Sequence, residues 1–323
     1  MLLKCVSHVV IALGHLLSAP ILMVRELVCG PEQEPQTPPP FKPVSIHAKY
    51  LVVNPADFDK LYRQSIGYRQ FDTTLSLTLP ITMKSGFLFS CGYTGAHIDW
   101  QTSIEPKPIN KDKDQHWLGF RTFQERSTFG YLMLSAGAYT LSMDKWQWSF
   151  LVSGMIDPEK MTNTEYSWIQ GVISGKYQIT DNMDSVFGII GEAGLKETKA
   201  RPLIGASYKP SDKVTVNCIY PINFSAEYEC TKVCTFSTAF RLNRFRKRLY
   251  ESIYPSSKGI FEYQGRAVEA AVKLSPAPGC SVKAFYGISV GSDISLSEQD
   301  GGNKRIYPFG HSAFMGGSAV LSF

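Results

Sequence analysis

The sequence predicts an all-β chain, a transmembrane antiparallel up-and-down β-barrel of about 14 strands, with 12 as the alternative count. Three observations predict it. From Val44 onward, apolar and polar residues alternate with a period of two, as on a strand whose two faces meet different surroundings. The connections between the alternating segments come in a short kind and a long kind that mostly take turns along the chain. The chain also ends inside such a segment: Met315, Gly317, Ala319, Leu321 and Phe323 lie on one face, and Gly316, Ser318, Val320 and Ser322 on the other.

Composition agrees. Charged residues make up 19% of the chain, below the roughly 25% usual for soluble domains, while aromatics reach 12%. Mean hydropathy is only -0.10. That excludes a bundle of membrane-spanning helices and suits a barrel, whose strands each hide a polar face inside. A large secreted β-sandwich would have similar statistics. The net charge of +5 is too mild for a nucleic-acid binder.

Residues 1–29 read as a signal peptide, with Lys4 ahead of an apolar run from Val9 to Val24. Residues 30–43 (GPEQEPQTPPPFKP) form a proline-rich linker. The barrel then spans residues 44–323. Leu75, Leu77, Leu79 and Ile81 oppose Thr74, Ser76 and Thr78; Phe87, Phe89, Cys91 and Tyr93 oppose Leu88, Ser90 and Gly92. The stretch from Gly130 to Ser142 is ambiguous, with apolar residues on both faces. Trp146, Trp148, Phe150 and Val152 follow, then Ile169, Ile173, Tyr177 and Ile179, then Phe224, Ala226 and Tyr228, and then Val282, Ala284, Tyr286 and Ile288. Short turns fall at 83–86, 143–145, 180–184, 210–212, 230–232 and 275–279, and longer connections at about 54–70, 101–127, 158–165, 196–200, 242–258 and 292–307. The even count requires a turn at Pro221.

With Leu321 two residues before it, the terminal Phe323 resembles the signal by which barrel-assembly machinery recognises its clients. Over residues 44–323 the chain resembles uncharacterised, porin-like outer-membrane β-barrels of Gram-negative bacteria. The resemblance is architectural and brings no catalytic residues. It implies a bacterial outer-membrane location and contact with outer-membrane lipid and lipopolysaccharide. It also implies assembly through Phe323 and traffic in small solutes, without a cofactor, a metal or a nucleic-acid partner. Oligomeric state stays open.

If the apolar faces meet lipid, the lumen collects the polar ones. Lys176, Glu227, Glu229, Lys273 and Lys283 are the candidate pore-lining charges. Arg241, Arg244, Arg246, Lys247 and Arg248 form the densest charge cluster and fall in an expected outer loop, where Phe245 and Tyr250 would help it bind anions. Two functions follow: a passive porin-like channel or transporter for small solutes, or a structural barrel whose basic outer loops bind anionic ligands. Enzymatic readings are weak. His311 and Ser312 are adjacent on a strand and point to opposite faces. His97 and Asp99 lack a second acid. Cys230 and Cys234 either bridge a tight turn in an oxidising envelope or simply flank it. Trp100, Trp117, Trp146 and Trp148 lie near strand ends, as interfacial aromatic girdles do.

Overall fold

The computed structural model describes residues 42–59, 64–82, 84–102, 128–143, 145–195, 197–249, 252–253, 256–257, 259–298, 302 and 304–323. The elements are β1 (Val44–Asp57), β2 (Gln64–Thr82), β3 (Ser85–Thr102), β4 (Thr128–Met143), β5 (Trp146–Ile156), a 3₁₀ turn (Thr164–Tyr166), β6 (Trp168–Thr180), β7 (Met183–Gly194), β8 (Glu197–Ser211) and β9 (Val214–Tyr220). They continue with β10 (Asn223–Thr231), β11 (Cys234–Arg248), the small hairpin β12 (Ser252–Ile253) and β13 (Ser256–Ser257), β14 (Ile260–Ala277), β15 (Cys280–Ser289), β16 (Ser292–Ser297), β17 (Arg305–Phe309) and β18 (Ser312–Ser322). Among the described residues no helix is long and apolar enough to cross a membrane.

β1 to β11 pair in sequence, β11 then pairs with β14, β14 with β15, β15 with β18, and β18 with β1, closing a fourteen-strand antiparallel ring. The seam runs from Ser45↔Ser322 to Val53↔Phe314 and is tied off by Val44 N–H to Phe323 O (3.1 Å) and Phe323 N–H to Val44 O (3.0 Å). Two strands are long and bent. β16 carries β15 onward along β14, and β17 leads into β18. The first bend sits at Gly291, whose φ of +62° favours a residue without Cβ. There Arg266 stitches the corner, accepting from Val290 N–H through its carbonyl (2.7 Å) and donating from its main chain to Ser292 Oγ (3.2 Å).

The faces are inverted relative to a soluble protein. Ile46, Phe71, Leu75, Phe89, Ile173, Ile189, Ile204, Phe236, Tyr286 and Ile288 all point outward and stay exposed. So continuous an apolar surface is stable only against hydrocarbon. Trp146, Trp148, Tyr177 and Phe187 cluster on this outer face, with Trp146 and Trp148 stacked at 5.9 Å. They lie close to the short-turn end, where an aromatic girdle belongs. The sandwich alternative is excluded, because the large apolar residues do not lie between two sheets.

The strand count and the turn at Pro221 agree with expectation, since β9 ends at Tyr220 and β10 starts at Asn223. Four connections do not. The expected loop at about 54–70 is strand as far as Asp57 and again from Gln64. The expected loop at 196–200 is a tight turn between Gly194 and Glu197. The expected loop at 242–258 is strand as far as Arg248, and that at 292–307 contains β16 and β17. All five described cysteines are free, Cys230 and Cys234 included. Trp100 is not in a girdle; it packs on Phe58 with ring centroids 6.4 Å apart. Trp117, residues 1–29 and most of the 30–43 linker lie outside the described residues.

The inverted faces predict opposite tolerances for neighbours on β2. Arginine at outward Leu75 should cost ~2–4 kcal/mol in folding into lipid vesicles, and arginine at inward Ser76 distinctly less. Urea titration of refolding into liposomes measures both.

Candidate functional site: a polar vestibule beneath a strand-built plug

The lumen has two halves. Toward the short turns its inner wall is polar and joined by side-chain bonds across strands. Ser135 Oγ donates to Ser153 Oγ (2.9 Å), Ser149 meets Ser174 (2.6 Å), and Ser207 donates to Asn217 Oδ1 (2.8 Å), whose Nδ2 donates to Ser225 Oγ (3.2 Å). Strand alternation places all five candidate lining charges on this inner face. Lys176 pairs with Asp184 (2.8 Å) and Lys283 with Glu269 (2.8 Å). Glu227 and Glu229 alternate with outward Ala226 and Tyr228 on β10. Lys273 stands directly opposite Lys283 in the β14–β15 ladder.

Toward the long loops the interior is apolar. Leu51, Val53, Ile66, Tyr68, Ile98, Phe129, Tyr131 and Met133 are all buried there. What buries them follows from strand lengths. β8 and β11 have fifteen residues each, but β9 and β10 between them have seven and nine. The ladders therefore stop at Ile204↔Tyr220 and Phe224↔Phe240. Beyond these rungs, residues 197–203 of β8 and 241–248 of β11 face each other with no strand between them.

In that gap the sheet turns inward. Alternation puts Leu242, Arg244, Arg246 and Arg248 on the face that carries outward Phe236, yet Leu242, Arg246 and Arg248 are 5%, 5% and 0% exposed. Both faces of this end of β11, and of β14 beside it, are covered. The odd-numbered face packs on β2 and β4: Tyr68 stacks on Tyr263 (3.7 Å), Phe129 on Phe261 (5.5 Å), and Phe245 lies against Tyr131 (5.8 Å). Lys247 donates to the Gly130 carbonyl (2.8 Å), pairs with Asp157 (2.6 Å) and sits 4.4 Å from the Tyr131 ring centre. The even-numbered face meets the inner wall at β7 and β8. Arg244 donates from Nη1 to Glu192 Oε2 (2.9 Å) and from Nε to Glu262 Oε1 (2.5 Å), and Arg246 pairs with Glu197. Lys304 closes over Glu262 (2.8 Å). The outer parts of β11 and β14, with β16, thus form a tongue across the lumen, greasy on one side and ionic on the other.

This overturns one expectation. Arg241, Arg244, Arg246, Lys247 and Arg248 are not in an outer loop; all lie in β11 and are buried or nearly so. Arg241 bonds Glu269 (2.9 Å) from the lumen-facing side. Sequence reasoning missed their acidic partners: Asp157 just after β5, Glu192 on β7, Glu197 on β8, and Glu262 and Glu269 on β14. One signal was present: apolar residues on both faces of the Gly130 to Ser142 stretch. Phe129, Tyr131 and Met133 are inward and apolar because the tongue lies on them. The weak catalytic pairs do not form relays. His311 Nδ1 lies 3.2 Å from Ser289 O, and Ser312 Oγ donates to Asn54 O (2.5 Å). His97 meets Thr128 (3.1 Å), and Asp99 pairs with Arg69 (3.3 Å).

A closed antiparallel ring with a hydrocarbon-facing exterior and a polar inner wall defines a β-barrel protein of the bacterial outer membrane. Its short turns, and the end of the seam where Val44 meets Phe323, then face the periplasm. The chain belongs to a family of chlamydial proteins. It is 50% identical over 320 residues to an uncharacterised protein of Chlamydia pneumoniae, covering 99% of both chains. An uncharacterised protein of Chlamydia muridarum is 48% identical and one of Chlamydia trachomatis serovar D 44%, each covering 100% of both. No protein-family model matches the chain. Among solved structures it is similar to the COG4313 outer membrane channel of Pseudomonas putida F1 (TM-score 0.47, 6% identity, 91% of this chain and 100% of that one). It is also similar to a deletion mutant of the monoaromatic hydrocarbon channel TodX (TM-score 0.45, 6% identity, 88% of this chain and 91% of that one).

The two kinds of ion pair predict unequal losses. Asp157→Ala leaves the Lys247 ammonium buried without its carboxylate and should cost ~3–5 kcal/mol. Asp99→Ala removes a pair whose side chains are 49% and 37% exposed, and should cost under ~1 kcal/mol. Equilibrium denaturant unfolding in detergent compares them.

Proposed function

We propose that the protein is a gated outer-membrane channel for small polar solutes, conducting by diffusion without a cofactor. The observation that carries this reading is the divided lumen. A polar vestibule open toward the periplasm is closed at its outer end by a tongue belonging to the wall itself. A purely structural barrel has no need of a polar interior below a plug. The gate would be the tongue rather than the long outer loops. The alternative, a barrel that binds anionic ligands through basic outer loops, loses its residues, since the arginines of β11 are engaged inside.

Removing the acids that hold Arg244 should release the tongue. Glu192→Gln combined with Glu262→Gln takes from buried Arg244 its two close carboxylates and leaves the more distant Glu197 (3.9 Å), a loss felt in the closed state only and enough to raise open probability at least about tenfold. Single-channel recording in planar bilayers reads it, with heat-modifiable mobility on gels reporting folding. A tight seal from both wild type and folded variant, at every voltage, would refute the channel.

We further propose that Phe323 serves recognition by the barrel-assembly machinery. Its 60% exposed ring at the β1–β18 seam supports this, where a folding factor could hold the last strand until β1 arrives. Deleting Phe323 should lower the amount of heat-modifiable protein in outer-membrane fractions while leaving synthesis unchanged.

A further inference from the structure

The tongue and the wall it rests on are not separately neutral. Residues 242–248, 260–266 and 292–297 carry Arg244, Arg246, Lys247, Arg248 and Arg266 against Glu262 and Asp293, a net of +3. Both acids are answered inside the tongue, Glu262 by Arg244 (2.5 Å) and Asp293 by Arg266 (3.4 Å). At its base Arg241 and Glu269 cancel each other (2.9 Å). The acids facing the other cations belong to the wall. Asp157 takes Lys247 (2.6 Å), Glu192 on β7 takes Arg244 (2.9 Å), and Glu197 on β8 takes Arg246. Lys199, paired with Glu197, and Arg201 stand on the same stretch of β8. Lys304 lies beyond β16 and adds to the positive sum where it travels with Glu262 (2.8 Å). The vestibule is arranged otherwise: Lys176 and Asp184 both sit on the wall, on neighbouring strands.

Sealing a lumen does not require this segregation. Apolar side chains of similar volume seal as well, since buried ion pairs return little net stability. The other face of the tongue is built that way, with Tyr68 on Tyr263 and Phe129 on Phe261. What separated charge adds is a response to an electric field. In a barrel closed at one level, the water-filled vestibule holds nearly the potential of the bath it opens to. The transmembrane voltage then falls mainly across the plug. The net +3 sits where the field is steepest, on an element that shares no ladder with β8.

We propose that the tongue is a voltage sensor as well as a gate. The inference rests on the reading of the protein as a channel closed by this tongue, and it names what drives the gate. Whichever way the tongue swings along the lumen, its net charge travels while Asp157, Glu192 and Glu197 stay behind. One polarity pulls the tongue off those acids, and the other presses it onto them. Moving three charges through about a third of the voltage drop equals moving one charge through all of it, so open probability should change about tenfold for each ~60 mV.

Single-barrel recording in planar bilayers at both polarities tests this. Each inserted barrel should open at one polarity and shut at the other, with that slope. Lys247→Gln with Asp157→Asn removes one moving charge and its fixed partner together, leaving neither ion buried alone, and should flatten the slope to about two-thirds. Where heat-modifiable mobility shows that this variant does not fold, Arg246→Gln with Glu197→Gln carries the same expectation. Arg69→Gln with Asp99→Asn neutralises an exposed pair within the wall and should leave the slope unchanged. Opening that is equal at both polarities, or a slope unaltered in the tongue variants, overturns the sensor while the channel stands. A tight seal at every voltage overturns the channel and the sensor with it.

Discussion

The structure depends on one constraint: in hydrocarbon, every main-chain N–H and C=O must find a partner within the protein. An open sheet edge is intolerable there, so the sheet must close, and Val44 and Phe323 exchange the final pair of hydrogen bonds that closes it. The closed ring has fourteen strands, and they enclose more space than inward side chains of ordinary size can fill. The vestibule is that surplus. Ser135, Ser149, Ser207 and Asn217 bond across strands to other side chains, which leaves the main-chain ladders of the wall intact.

The surplus space at the outer end is filled differently, and charge does the positioning. Buried ion pairs contribute little net stability compared with apolar packing, but they are strongly directional. Arg244 is met by Glu192 and Glu262, and Lys247 by Asp157. These pairs fix which inner wall each face of the tongue touches. The stacked rings of Tyr68 with Tyr263 and Phe129 with Phe261 supply the apolar burial that offsets the cost of desolvating the charges.

Most of the wall was legible in the sequence, because a lipid-facing strand must alternate and nothing else in the chain disturbs that rule. Leu75, Ile173, Phe236 and Tyr286 are outward for this reason, and Lys176, Glu227, Glu229, Lys273 and Lys283 inward. The tongue was not legible. Once a strand leaves the wall both its faces are buried, and alternation no longer separates them; a run such as Arg244 to Arg248 then looks like a solvated loop. Glu262 and Glu269 come from the β11–β14 ladder and Asp157, Glu192 and Glu197 from the wall the tongue turns in upon, so no local spacing announces them. The double-sided apolar pattern around Tyr131 was the one trace of the tongue, and it needed a second surface inside the barrel to make sense.

The shortness of β9 and β10 has a mechanical consequence. Because residues 197–203 of β8 and 241–248 of β11 share no ladder, the tongue is fastened on that flank by side chains alone. Swinging it away would unclasp ions and unstack rings but would tear no main-chain bonds there, so the shell can keep its cylindrical integrity while its stopper moves. The missing length of two strands is thus what separates a hinge from a rupture.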